Sequence, residues 1–407
     1  MAGTTDENRS PPLSDIHIVE LGHIVAGPFC SMVLGDLGAD VTKVENPDGG
    51  DSVRNSSESG QSVFTSLNRN KCSIAINLTD EAGMAAFKEL VENADVVIEN
   101  FRDGALEGLG VAPETMREWN PELVVCSIKG FGDGPYQDYP ALDPIAEAMS
   151  GLMSVTGREG APPSRAGTSV ADMTAALFGA VAVVGGVRDR DRTGDGQHIR
   201  VPLFESTITL MGYWLTLTDA FGTVPGPQGA SHPNWAPYDV YETSDGEYLF
   251  IAPASEGHWE SFCEAIEADE LLDVPEFETI EDRRENVDEL DEQLSRRIVD
   301  YTQKTLLERL RDIGVPAAPV NDTADVLNDE HLAATGFFDE VDWPTDGPGP
   351  DNDAVIKIPG APFTSSAFES DPPSGPPELG ADTATVLKEL GYSEEEIDSL
   401  VERGAVR

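Results

Sequence analysis

The chain has little positive charge. Its 407 residues carry 26 Lys and Arg against 75 Asp and Glu, a formal net charge of −49. So few cations exclude nucleic acid as a partner, because phosphate backbones are held by basic patches. The acids run along the whole sequence and form no tail. That pattern suits a protein kept soluble in concentrated salt, where screening removes self-repulsion, and a halophilic cytoplasm is the expected setting. Cysteine is scarce. Cys30, Cys72, Cys126 and Cys263 lie far apart with no CxxC pair, so reduced core thiols are expected, with no metal site and no disulfide framework. The N-terminus, "MAGTTDENRSPPLSD", lacks the apolar core of a signal peptide. The longest apolar run, Ala175 to Val187, is short and glycine-rich, so no membrane span is expected. The first β–α turn, "LGHIVAGPF", lacks GxGxxG, which removes the dinucleotide fingerprint.

What is present is an alternation of short apolar runs and helical spacing. "IHIVELG", "DVTKVEN", "CSIAINL", "ADVVIENF" and "LVVCSIKGFG" read as strands, with helices between them. The fold class is α/β, an open doubly wound parallel sheet through about Val201. "PLFESTITLMGYWLTLTDAF" reads as one long helix and "GTVPGPQGASHPNWAP" as a linker or surface loop. Tyr238 to Val320 reads as a smaller α/β domain. It opens on a hairpin turning at Ser244-Asp245-Gly246, followed by helices around His258–Ala268, Asn286–Tyr301 and Thr305–Ile313. Pro344 to Pro377 reads as an extended connector, and the chain ends in a helical segment.

Three features point to chemistry. Gly22, Ala26 and Gly27 allow an anionic ligand to approach the first β–α turn, or simply allow tight packing. Lys43, Arg54, Arg69, Lys71, Arg102 and Lys129 follow or lie near strand carboxyl ends, where such sheets bind ligands. In so acidic a chain they suggest a phosphate-bearing ligand, against local ion pairing as the plain alternative. Asp172 stands at the entrance to the apolar run Met173–Val187. It is either a helix cap or a partly desolvated acid or nucleophile. Asp143, before Pro144, poses the same question. His23 is a candidate ligand or base beside the glycine turn.

The stretches "VELGHIVAGPFCSMVLGDLGADVTKVENPDGGDSVR", "LNRNKCSIAINL", "ADVVIENFRDGALEGLG", "SIKGFGDGPY", "DPIAEAMSGLMSVTG", "RAGTSVADMTAALFGAVAVVGGVRDRDRTGDGQHIRVPLFES" and "PPELGADTATVLKELGYSEEEI" resemble, in this order, the class III CoA-transferase family. The resemblance runs from about Leu13 to the C-terminus. It implies a Rossmann-like large domain formed by both chain ends, a smaller α/β domain, and two chains interlocked as a homodimer. On this basis residues 1–205 are the N-terminal part of the CoA-binding domain and 206–235 a linker helix and loop. Residues 236–325 are then the small domain, and 326–407 a connector and C-terminal return. It implies CoA transfer between carboxylic acids with no metal and no cofactor beyond coenzyme A as part of the substrate. The partners implied are an acyl-CoA and a small carboxylic acid. Asp172 matches the family's nucleophile, its ionised form held by donors around Gly167–Val170. His23, Ile24, Ala26, Lys71, Asn100, Phe101 and Ala105 match CoA-contacting positions. Asn46 and Gly108 stand where some relatives carry arginine, and Lys43, Arg54 or Arg102 substitute for them.

Racemase relatives carry a Gly-His-Asp run near Asp143. Here it is Ala141-Leu142-Asp143, so the histidine that α-proton exchange needs is missing. Asp143 is then a residue that shapes the site. A CoA-binding protein without turnover is the other alternative, opposed by the intact "SVADM". "GPQGASHPN" lacks the glycine run that formyl-CoA transferases place over the intermediate. With the halophilic setting, this favours succinyl-CoA as donor and a C4–C5 dicarboxylate such as mesaconate as acceptor. Arg165 and His232 are the candidate contacts for its distal carboxylate.

Overall fold

A computed structural model describes residues 9–344, 348–350, 354–368 and 373–407. The chain divides into two compact units. One comprises Met1–Leu152, Arg165–Gly212 and Glu330–Arg407, and the other Met153–Ser164 and Tyr213–Asp329.

The first unit is built on six parallel strands, β1 (His17–Leu21), β2 (Asp40–Glu45), β3 (Lys71–Ala75), β4 (Val96–Glu99), β5 (Val124–Lys129) and β6 (Gln197–Pro202), in the order β3-β2-β1-β4-β5-β6. Helices α1 (Ala26–Gly35), α2 (Glu58–Leu67), α3 (Glu81–Glu92), α4 (Ala105–Leu109), α5 (Pro113–Trp119), α6 (Asp143–Ser150), the single-turn α7 (Leu152–Val155) and α8 (Val170–Thr193) lie between them in the chain. Successive strand side chains alternate between faces, so each strand feeds two cores. Ile18, Val41, Ile98 and Cys126 pack with α1 and α8, while Val19, Val44, Val97 and Val125 pack with Phe87 and Leu90 of α3. The chain end returns to the edge of β3, where Val406 bridges Ile76 and the Arg407 N–H donates to the Ala75 carbonyl.

Helix α8 corrects the expectation about apolar runs, since by length and composition it could cross a membrane. In the structure it packs on α1, β5, β6 and α9 (Leu203–Leu210). Its small residues make this possible. A Cβ on Gly179 would meet the Cys30 and Cys126 sulfurs at 3.2 and 3.5 Å, and one on Gly186 would meet Ile199 at 3.0 Å. The helix expected across "PLFESTITLMGYWLTLTDAF" is two, α9 and α10 (Gly212–Phe221). The Met211 N–H closes onto Ile208 three residues back, and Gly212 follows. Residues 345–347, 351–353 and 369–372 of the expected connector lie outside the described residues. Within the rest, Val355–Pro359 is a strand paired antiparallel with Phe338–Asp342, as its alternating Val-Ile-Lys-Ile pattern permits.

In the second unit β7 (Asp239–Glu242) and β8 (Tyr248–Ile251) form the expected hairpin, with Gly246 at φ +80°, and β8 also pairs with β9 (Ala317–Pro319). Helices Val287–Ile298 and Gln303–Asp312 pack their leucines with Trp259 and Phe262 of the helix Glu256–Ala265 and with Phe277.

Candidate active site

Strand order reverses between β1 and β4, and ligands of open α/β sheets sit beyond the strand ends at that reversal. There β1 delivers His23 and Ile24, and β4 delivers Asn100, Phe101 and Arg102. Asn100 joins the two ends. Its Oδ1 accepts the His23 N–H at 2.7 Å, and its Nδ2 donates to the His23 carbonyl at 2.9 Å. The His23 ring meets Phe101 edge-on at 4.9 Å. Burial holds the His23 imidazole below its ordinary pKa, so it favours the neutral form. Ile24 has φ +65°, costly for a β-branched residue, and its N–H is held at 3.2 Å by both Asp51 oxygens. A Cβ on Gly27 would lie 2.8 Å from the Gly22 Cα and 3.0 Å from Asn100 Oδ1, so glycine is required for this closure.

Most basic residues expected to face a phosphate turn inward instead. Lys43 is fully buried and donates to Glu20 and the Gly22 carbonyl, each at 2.7 Å, with Asp51 at 3.1 Å. Lys71 donates to Glu20, the Pro28 carbonyl and Asn68 at 2.7, 2.9 and 2.9 Å. Arg54 pairs with Glu45, Arg69 with Asp36 and Lys129 with Glu99, all buried. Burial alone would raise the Glu20 carboxyl, but the Lys43 and Lys71 ammoniums outweigh it and bring it down to about 2. Burial and the nearby Lys43 charge bring Lys71 down to about 8. Lys43 and Lys71 therefore brace the β1–α1 turn from below and present no ammonium to a ligand. Arg102 is exposed and has no ion pair among the described residues, so it is the cation left to face one. Ala26 is buried as the first residue of α1, and Ala105 opens α4 after Gly104 at φ +80°. A Cβ on Gly108 would meet nothing within 4 Å, and Asn46 Oδ1 accepts the Asp48 N–H at 2.8 Å.

Asp172 lies in the first turn of α8. Met173, next to it, packs with Val25, the residue before α1, which sets this turn beside the β1–α1 turn. The Asp172 carboxylate is no cap. Ser169 holds the N-cap position, and among the described residues no group donates to the Asp172 oxygens. The expected donors around Gly167–Val170 therefore do not hold it. Burial, with the Asp143 charge added, pushes its pKa up to about 7.

Asp143 does not cap its own helix either, since Leu142 is the N-cap of α6. Its Oδ1 instead accepts the first-turn N–H groups of α8, Ala171 at 2.8 Å and Asp172 at 3.2 Å. These donors have no partner within α8, so Asp143 caps α8 from a neighbouring helix. Glu147, one turn along α6 and fully buried, accepts the Ala166 N–H at 2.8 Å. Arg165 is exposed, and its charge acts on Glu147. His232 belongs to the second unit, where its ring lies tilted against Trp235, centroids 4.2 Å apart, at a cavity of about 300 Å³. Sequence reasoning missed Asp51 and Glu147. Asp51 stood in plain view in "PDGGDSVR", and Glu147 lies four residues after Asp143 on one helix face.

The sequence profile of CoA-transferase family III matches residues 13–383. The succinyl-CoA:mesaconate CoA-transferase of Haloarcula hispanica is 37% identical over 396 residues, 93% of this chain and 96% of that one. The succinyl-CoA:glutarate CoA-transferase of Homo sapiens is 32% identical over 411 residues, 99% of this chain and 91% of that one. The crystal structure of a CAIB/BAIF family protein from Brucella suis superposes with a TM-score of 0.85 at 34% identity, covering 94% of this chain and all of that one.

Proposed function

The chain belongs to CoA-transferase family III and is an enzyme of the CoA-transferase type, and we propose that it moves CoA from succinyl-CoA to a C4–C5 dicarboxylate such as mesaconate through an aspartyl-CoA thioester on Asp172. The observation that carries this reading is a half-buried carboxylate with no hydrogen-bond donor among the described residues, set beside the turn at the sheet's reversal point. Asp172 attacks the thioester carbonyl, giving an acyl-aspartyl anhydride and CoA thiolate. The thiolate attacks the aspartyl carbonyl, expels succinate and leaves the aspartyl-CoA thioester. The acceptor carboxylate attacks that carbonyl, and the thiolate then takes the acceptor's acyl group and frees Asp172. No proton moves, so no base is needed, and an undonated carboxylate is the more nucleophilic for it.

The relatives acting on succinyl-CoA support the donor, and those named for mesaconate and glutarate support a short dicarboxylate acceptor. The net charge of −49 supports a halophilic cytoplasm. Leu177, Phe178, Val181 and Val184 leave an apolar strip exposed on α8, which supports a homodimer in which a second copy covers it. His23, Ile24, Asn100, Phe101, Arg102 and Ala105 hold the CoA, while Arg165 is the candidate for the acceptor's distal carboxylate. Incubation with succinyl-CoA alone should leave a CoA adduct on the Asp172 peptide that mesaconate clears. An adduct that mesaconate does not clear removes that acceptor. No adduct, together with deuterium uptake at the substrate α-carbon in heavy water, replaces the reading with an isomerase. Arg102→Ala should raise KM for the acyl-CoA about tenfold with kcat nearly unchanged, since it removes a charge-assisted contact made equally in ground and transition states. An unchanged KM would take Arg102 out of the phosphate site.

A further inference from the structure

Asp143 and Glu147 form a carboxyl pair that the reaction scheme does not use. Asp143 is 5% and Glu147 0% exposed, and they lie one turn apart on α6. Each has one oxygen bound to backbone, Asp143 Oδ1 to Ala171 and Asp172, and Glu147 Oε2 to Ala166. The other oxygens, Asp143 Oδ2 and Glu147 Oε1, are buried and have no donor among the described residues. Two ionised carboxylates placed so would repel in a low-dielectric site, and one must hold a proton.

We propose that Glu147 is a positioning residue for Asp172, which shares one proton with Asp143 between Glu147 Oε1 and Asp143 Oδ2. The proton satisfies both orphaned oxygens and leaves the pair with one negative charge instead of two. That charge caps α8 through Asp143 Oδ1. A second would raise the nucleophile's pKa further and push α6 away from α8. Burial and the Asp143 carboxyl both raise the Glu147 pKa, in keeping with a retained proton. The other charged groups facing the pair are Arg165 before α8 and Asp172 on α8, while Glu205 on α9 is turned to the Gly132 N–H.

The proposal rests on Asp172 as nucleophile, and its test separates the two claims. Infrared difference spectra of D172N, which removes the titrating Asp172 carboxyl, should show the C=O stretch of a buried carboxylic acid at neutral pH. The double variant D172N/E147Q should lack it. This readout needs no turnover. In the active enzyme Glu147→Gln puts an amide N–H where the proton was. It should keep kcat/KM within about twofold at neutral pH and lack the alkaline fall in activity that the shared proton predicts for wild type. Glu147→Ala, which orphans Asp143 Oδ2, should lower kcat/KM at least about tenfold, with the glutamine variant as the folded control. Absence of the band in D172N, its survival in D172N/E147Q, or an unchanged alkaline limb in Glu147→Gln would overturn the shared proton.

Discussion

Asp172→Asn is expected to lower kcat by about 10³-fold or more while leaving acyl-CoA binding within a few-fold, because the amide has no anionic oxygen to form the anhydride. The change is nearly isosteric and the native carboxylate accepts no hydrogen bond from the described residues, so the fold loses little. Intact mass spectra after succinyl-CoA treatment should show the CoA adduct on wild type and none on the variant. The pH profile adds a signature. Only the ionised carboxylate attacks, and its pKa is pushed up to about 7, so activity should rise with pH through that value. Burial is the larger cause and the Asp143 charge the second. Asp143→Asn keeps an oxygen for the Ala171 and Asp172 N–H groups but removes the charge. Its acid limb should therefore move to lower pH. An acid limb that stays in place would mean that another group controls the rise, and a variant that keeps wild-type turnover would remove Asp172 from the chemistry.

The sheet was legible because parallel strands buried on both faces read as continuous apolar runs, and because "VELG", "VIEN" and "SIKG" mark the carboxyl ends where a site forms. Asp172 was legible as an acid entering an apolar helix. What the sequence hid is register. Glu20 of β1 is the direct partner of Lys43 on β2, a pairing across twenty-three residues that turns an apparent phosphate ligand into a buried brace. The same holds for Asp143 and Glu147. Their spacing on one helix shows in the sequence, but their convergence on the N–H groups of Ala166, Ala171 and Asp172 depends on how α6 packs against α8. The hidden part is in each case a polar group buried by tertiary packing, where pairing partners come from elsewhere in the chain.

Lys43→Met should destabilise the protein by about 3–5 kcal/mol, the cost of removing one partner from a buried ion pair. Glu20 and Asp51 are both buried, and Lys43 sits between them at 2.7 and 3.1 Å. Methionine fills the volume but leaves two carboxylates with only Lys71 against them on the Glu20 side. The exposed pair Lys88–Glu92 is the control, because a single-turn surface pair is worth about 0.3–0.5 kcal/mol and is screened further by salt. Urea midpoints for Lys43→Met and Lys88→Met should therefore differ widely, and the gap should persist in concentrated salt. Acid distinguishes them again. Glu20 titrates at about 2 in the fold against 4.5 ordinarily, so its pairing stabilises wild type above pH 4.5, and this is lost as pH falls from 4.5 toward 2. In Lys43→Met that contribution is already reduced at neutral pH, so its stability should fall less over the same window. The Gly22 carbonyl also loses its donor, which loosens the β1–α1 turn, so KM for the acyl-CoA should rise where the variant is still folded. A variant as stable as Lys88→Met would show that Lys43 braces nothing and would return it to the list of ligand-facing cations.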